Sequence, residues 1–400
     1  EKIRGGLVTD EFRSIYFDNK RQVYDRLINL LIEADSGVEA LQISERARAR
    51  AFYDILSIRK INFRGSEGGD LIAMEQEKRL EVQKLYRLLR HDENQGKDFQ
   101  ERTSADVKQI RSALSEGIKE YDEIVKKLKV NNPSYAEIVS AEPVKLSDIQ
   151  SRLDPESAVL EYWVSDHDLT VWMISHEEAI SFRSAISDKV LNSVVERARS
   201  AIESNDTDKS GKELKTLYNH LIAPVEGKLA SFSKLIMIPN QSLHFIPFQA
   251  LLNANGRFLV EDFSISYAPS ASVFIICSDR MVKSGSKFMG MALSDVEVGN
   301  NPGLPGTEDE LKKILPLFPD NISAFGAQCT ESFAKKYAGT CNFLHFATHG
   351  SYNYRQPLYS YLLFPPEEGN DGRLNVFEVF EMNLNCRLVT LSACETGLGN

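Results

Sequence analysis

Phe343-Leu344-His345-Phe346-Ala347-Thr348-His349-Gly350 and Leu388-Val389-Thr390-Leu391-Ser392-Ala393-Cys394-Glu395-Thr396-Gly397 share one pattern, an apolar run of strand length that leads into a reactive side chain and a glycine. In an open parallel sheet, ligands bind beyond the carboxyl ends of the strands. If the two runs are neighbouring strands, His349 and Cys394 face each other across one crevice. That pair is what thiol catalysis requires: an imidazole titrating near neutrality to accept and return a proton, and a thiolate as nucleophile. The glycine after His349 takes a Cβ out of the turn, so that the Gly350 amide can aim at an oxyanion together with the amide of Cys394.

Around these runs the chain alternates. Lys234 to Ile238, closed by Pro239, and Phe263–Tyr267, Phe288–Ala292, Asn342–Ala347 and Arg387–Ser392 read as strands, with helical segments near 307–316 and 330–338. Ala158–Val164 and Leu169–Ile174 flank the turn Ser165-Asp166-His167-Asp168 and predict a β-hairpin, followed by helices at 187–204 and 211–229. Strands alternating with helices predict an α/β fold whose mostly parallel sheet is covered by helices on both faces.

The first part of the chain has a different texture. Residues 1–62 read as two helices: Tyr24, Leu27, Leu30 and Leu31 lie at helical spacing, Gly37 interrupts, and Ala40, Leu41, Ala47, Ala51 and Leu56 follow. The pair, about 36 residues long, has the size of one tetratricopeptide unit, and one unit needs roughly three or more neighbours to bury its faces. Residues 63–133 predict a helical hairpin after the loop Gly65–Gly69. Its second arm, from Ser104 to Val130, carries Val107, Ile110, Leu114, Ile118, Tyr121, Ile124, Val125 and Leu128 in one stripe, with Thr103 or Ser104 as cap. Asn131-Asn132-Pro133 ends the helices, and the α/β domain begins at about residue 145.

Composition narrows the function classes. With 400 residues, 42% hydrophobic and 26% charged, the chain has room for two or three globular domains. A net charge of −10, without Lys/Arg blocks interleaved with aromatics, speaks against direct nucleic-acid binding. No apolar run approaches the roughly 18–20 residues that span a bilayer, and Glu1-Lys2-Ile3-Arg4 does not open a signal peptide. No membrane attachment and a cytoplasmic location are expected. The cysteines are Cys277, Cys329, Cys341, Cys386 and Cys394, an odd number without a CxxC pair, and they read as reduced thiols. Neither HExxH, zinc-spaced cysteines, a Walker A loop nor a strand-linked GxGxxG occurs, so no metal or cofactor is expected. Asp92-Glu93-Asn94 reads as solvated surface. The start at Glu1 and the stop six residues beyond Cys394 suggest an excerpt of a longer protein.

A strand cysteine is ordinarily a small buried hydrophobe, and a lone histidine near a strand is ordinarily a satisfied core residue; His345, in mid-run, is read that way. Spacing sets His349 and Cys394 apart. They lie 45 residues from each other, in the order and at the roughly 50-residue separation of the caspase arrangement. Ser392-Ala393-Cys394 replaces the Gln-Ala-Cys of that signature. The dyad by itself leaves open a peptidase, another Cys/His acyltransferase or hydrolase, or a binding protein.

His-Phe-Ala-Thr-His-Gly around His349 and Leu-Ser-Ala-Cys-Glu-Thr-Gly around Cys394 resemble the two active-site motifs of the CHAT domain, a family of caspase- and separase-like cysteine peptidases often fused to tetratricopeptide repeats. Leu217-Tyr218 through Pro224, Leu235–Pro239 with Leu243–Leu251, Ser266–Ser272, Leu304-Pro305-Gly306, and Pro357-Leu358 with Leu362-Leu363 are similar to its intervening blocks, in the same order. The resemblance runs from about Leu146 to Asn400, and Ser44–Ala51 looks like the last helix of the repeat array that precedes many such domains. It implies an α/β caspase-like sandwich preceded by an α-helical, tetratricopeptide-like region, with a non-catalytic half at 145–285 and a catalytic half at 286–400. It also implies a cysteine endopeptidase that cleaves protein substrates through an acyl-thioenzyme, using His349 and Cys394 without a third carboxylate. Some relatives are subunits of RNA-guided effectors and others act in bacterial defence, so an activating protein or RNA-guided complex acting through the helical region is implied too. The competing reading is a non-catalytic scaffold that binds partners. Two departures stand out: Asn240-Gln241 replaces the family's frequent Asp-Gly turn, and the Gly-Glu-Gly segment, helix and strands that follow the cysteine loop in the family do not occur here, which implies that this chain by itself lacks part of the substrate pocket.

Overall fold

The computed structural model describes residues 10–57, 104–131, 144–279, 285–353, 359–380 and 382–393, with single positions between 71 and 85. The Gly65–Gly69 loop, most of the first arm of the expected hairpin, Asp92–Asn94, Pro357-Leu358 and the segment from Cys394 onward lie outside them. The chain divides into two compact units, Glu1–Asp279 and Arg280–Asn400. Among the described residues, no helix is long and apolar enough to cross a membrane.

In the first unit, helix α1 (Asp10–Glu33) turns into α2 (Gly37–Ser57) through Asp35, whose φ of 57° is left-handed. The turn is therefore made by Asp35, and Gly37 opens the second helix. Helix α3 (Ser104–Asn131) buries Leu114 and Ile124 of its predicted stripe. Next comes a five-stranded sheet in the order β3-β2-β1-β4-β5, formed by β1 (Ser157–Val164), β2 (Leu169–Ile174), β3 (Ala179–Ser184), β4 (Lys234–Ile238) and β5 (Ser264–Tyr267).

The sheet is mixed rather than mostly parallel: β1–β2 and β2–β3 are antiparallel, β1–β4 and β4–β5 parallel. The reason is connection length. The turns after β1 and β2 are short hairpins, whereas a parallel return needs a crossover of a dozen residues or more; α4 (Asp188–Glu203) and α5 (Thr207–Leu221) supply one between β3 and β4. Ser187 caps α4 and Asp206 caps α5. Pro224 sits in a separate short helix, Ala223–Glu226, so the helix read over 211–229 is divided.

Side-chain alternation sorts the sheet into two cores. Leu160, Tyr162, Val171, Met173, Leu235 and Met237 meet α4 and α5 on one face. Val159, Trp163, Trp172 and Ile238 on the other face meet Ile28, Leu41 and Ala47 of α1 and α2, and Ala271 and Ile275 of α6 (Ala271–Asp279). The N-terminal helix pair is thus a layer on this sheet. Polar groups cross the same layer: Trp163 donates to Asp25 at 2.8 Å, Trp172 donates to the Gly37 carbonyl at 2.8 Å, and Ser44 donates to the buried Glu161 at 2.6 Å. Arg48 lies 3.3 Å from the same carboxylate and donates to the carbonyls of Pro239 and Tyr162. The Asn240-Gln241 turn is accommodated with Gln241 at φ 55°, where the family's glycine costs least; its side chain donates to the Val164 carbonyl at 2.8 Å.

The second unit holds a parallel four-stranded sheet, β12-β8-β6-β7, built from β6 (Phe288–Ala292), β7 (Asn321–Phe325), β8 (Phe343–Ala347) and β12 (Leu388–Ser392). Helix α7 (Gly306–Ile314) covers one face with Leu311, against Phe288, Ala292 and Ala347. Helix α8 (Glu331–Tyr337), capped by Thr330, covers the other, where Met289, Met291, Leu344 and Phe346 pack with Ala334 and Phe364. Between β8 and β12 the chain forms a small antiparallel sheet, β11-β10-β9, from β9 (His349–Ser351), β10 (Tyr361–Leu363) and β11 (Arg373–Asn375). Among the described residues β12 is an edge strand, and Leu388, Val389 and Leu391 are exposed.

Candidate active site

The two motif strands are direct neighbours. β8 and β12 run parallel in a register that sets Thr390 against His345 and Ser392 against Ala347. The chain positions two residues beyond the last of these pairs are His349 and Cys394. Cys394 lies outside the described residues, so the sequence-predicted dyad is described here through His349 and the strand that leads to the cysteine.

His349 leaves the end of β8 at a constrained point. The Ala347 carbonyl accepts from the Leu293 amide at 2.9 Å, and the Thr348 hydroxyl, buried, donates to the carbonyl of Leu363. His349 then opens β9 opposite Leu363, and Gly350 lies opposite Leu362; both are half-buried. The imidazole Nε2 is 2.8 Å from the backbone carbonyl oxygen of Pro302. A carbonyl can only accept, so Nε2 carries the proton and, in the neutral ring, Nδ1 carries the free lone pair.

Pro302 is held in place by the loop that joins β6 to α7. Val298 and Asn301 exchange backbone hydrogen bonds of 3.1 Å, Leu304 donates to the Ser294 carbonyl, and Thr307 Oγ1 accepts from the Ser294 amide at 3.0 Å while donating to the Leu304 carbonyl at 2.7 Å. Gly303 lets this loop lie against Asp295: a Cβ there would come within 2.6 Å of the Asp295 carbonyl carbon. Sequence reasoning missed the role of Pro302, because a backbone carbonyl leaves no residue-type signature.

His345 sits four residues before His349 and is 4% exposed. Its Nε2 lies 3.1 Å from Glu310 Oε1, at ion-pair distance but without hydrogen-bond alignment. Burial pushes the imidazole below its ordinary pKa, against the opposing pull of Glu310. The other oxygen of Glu310 accepts a hydrogen bond from the Ser392 hydroxyl at 3.2 Å.

The remaining thiols differ in setting. Cys277 is exposed, Cys386 half-buried, and Cys329 and Cys341 buried, all of them free. The Cys329 thiol donates to backbone carbonyls of Ala292 and Ala324, and burial pushes it up to about 12. Among the described residues, no group of three or more His, Cys, Asp or Glu side chains is gathered to hold a metal ion.

No curated protein matches the chain at a significant level. Residues 211–400, which include β4 through β12 and both motifs, match the family of the CHAT domain, a caspase-like, peptidase-related fold. The alternation of strand and helix, the paired ends of β8 and β12, and the matched residues agree on one identity: the chain carries a CHAT domain over residues 211–400.

Proposed function

We propose that the protein is a cysteine endopeptidase in which Cys394 is the nucleophile and His349 the general base and acid. The observation that supports this reading is the register of β8 and β12, which sets the two strands that lead into the motifs side by side in one sheet. The hydrogen bond from His349 to Pro302 adds the direction of proton transfer. Nδ1 takes the proton of the Cys394 thiol, and the thiolate attacks the carbonyl carbon of the scissile peptide bond. The carbonyl oxygen gathers negative charge and is met by the amides of Gly350 and Cys394. Collapse breaks the C–N bond, the leaving amine takes the proton from the imidazolium, and the acyl group stays on sulfur as a thioester. Water, deprotonated by the same Nδ1, then releases the acid and restores the thiol. The Pro302 carbonyl orients the ring throughout, a task that needs no third carboxylate.

The α/β domain extends upstream of the matched residues to about residue 145. β1, β2 and β3 share one sheet and two cores with β4 and β5, which supports this extent. The helical region at 1–62 and 63–133 serves as the arm through which a partner protein or RNA-guided complex activates the enzyme; the packing of α1 and α2 directly on β1 and β2 supports that role. The test is cleavage of a proteome-derived peptide library by the full protein, with and without cell lysate, beside Cys394→Ala and His349→Ala. Cleavage that both substitutions abolish is expected. Cleavage indifferent to both, or none under any condition, would replace this reading with a partner-binding scaffold.

A further inference from the structure

Among the polar residues of the motifs that the dyad leaves unused are His345 in the first and Ser392 in the second. Both lie on the α7 face of the sheet, since side chains alternate along a strand and Thr390 and Ser392 stand opposite His345 and Ala347. Helix α7 comes close to that face where the facing residues Gly290, Ala292 and Ala347 are small. Gly290 is the clearest case: a Cβ there would overlap Leu311 and come within 2.8 Å of Phe288. The close approach carries Glu310, the neighbour of Leu311, over the two strands, where one carboxylate oxygen reaches His345 on β8 and the other Ser392 on β12.

We infer that Glu310 is a positioning residue for the dyad: its carboxylate bridges β8 and β12 through His345 in the middle of one strand and Ser392 at the end of the other, and so fixes the spacing of the two strands from which His349 and Cys394 follow in the sequence. The inference rests on the dyad reading given above. It predicts a chemical effect at Cys394 that differs from a general loss of stability, because a nucleophile and base held in reach of each other lose rate steeply with small displacements. Glu310→Ala removes both contacts. Glu310→Gln keeps an oxygen that accepts from Ser392 and gains an amide NH2 that donates to His345 Nε2 when the ring carries its proton on Nδ1, so it keeps the brace without the charge. Ser392→Ala removes one hydroxyl from a half-buried position and with it the contact to Glu310.

The probe is iodoacetamide at pH 7 on the full chain, with each thiol followed by mass spectrometry. The Cys394 rate is expressed relative to exposed Cys277, while buried Cys329 and Cys341 report any loosening of the second unit. The expected result is a Cys394 rate lowered about tenfold in Glu310→Ala, short of the hundredfold that a 1 Å misplacement can cost. A smaller fall in Ser392→Ala, recovery in Glu310→Gln, and no labelling of Cys329 or Cys341 complete it. The inference is overturned if Glu310→Ala matches the wild type while His349→Ala slows Cys394, if Glu310→Gln fails to recover the rate, or if the fall comes with labelling of the buried thiols. A Cys394 rate unchanged by His349→Ala overturns the dyad reading itself, and this inference with it.

Discussion

Gly303→Ala tests the orientation of His349 without touching the histidine. A Cβ at position 303 would lie 2.6, 2.7 and 2.8 Å from the carbonyl carbon, Cα and carbonyl oxygen of Asp295, all backbone atoms with no rotamer through which to yield. Ordinary contact begins near 3.4 Å, so the loop retreats by roughly 0.8 Å. The Pro302 carbonyl, one peptide unit away, moves with it. A movement along the Nε2···O line stretches its 2.8 Å contact to at most roughly 3.6 Å, beyond the range of an N–H···O bond. Losing one such bond is worth about 0.5–1.5 kcal/mol, or a factor of roughly 2–12 in the ratio of the two neutral tautomers. The assay is long-range nitrogen–proton correlation on histidine-labelled protein, which distinguishes a proton on Nε2 from one on Nδ1. Gly306→Ala is the control, because a Cβ there meets nothing within 4 Å. Wild type and Gly306→Ala are expected to hold His349 as the Nε2–H form, and Gly303→Ala to show a mixture. An unchanged Nε2–H form in Gly303→Ala, or an equal change in Gly306→Ala, would refute the reasoning.

Two further predictions concern the polar groups between the helix pair and the first sheet. Burial, reinforced by nearby Glu45, pushes the Glu161 carboxyl up to about 8 despite Arg48 and Ser44. The folded chain therefore holds a proton there that the unfolded chain releases near 4.5, and this contribution to stability, full below 4.5, is lost as pH rises through 8. Glu161→Gln should flatten the fall of melting temperature between about pH 5 and 8, and parallel slopes in the two proteins would contradict it. Glu45, itself buried, accepts from the Ala271 amide at 3.0 Å, the Ser272 amide at 2.8 Å and the Ser272 hydroxyl at 2.7 Å, capping α6 from a distant part of the chain. Glu45→Ala should lower unfolding free energy by about 2–3 kcal/mol in urea titration, and Glu45→Gln by less; a loss below about 0.5 kcal/mol in Glu45→Ala would show that water replaces the cap.

The strands β1, β2, β4, β6 and β8 were legible in the sequence because each is a continuous apolar run, and such runs arise where a strand is buried on both faces. β3, with Ser181 and Arg183, and β7, with Asn321 and Ser323, were not picked out, because their polar residues weaken the pattern and both lie at sheet edges. The pairs in β9, β10 and β11 are three residues long, too short for periodicity to register. His349 stood out because the run of β8 ends on it. Glu310 did not, since within Glu308-Asp309-Glu310 it is one more acid on an amphipathic helix until β8 and β12 are seen beneath it. What the sequence by itself determined is therefore local: where apolar runs begin and end, and which reactive side chains follow them. The tertiary structure alone decided that β8 and β12 are neighbours in register, that the first sheet is half antiparallel, and that a proline carbonyl and a helix carboxylate reach the motif histidines, because these depend on chain segments far apart in sequence being packed against one another.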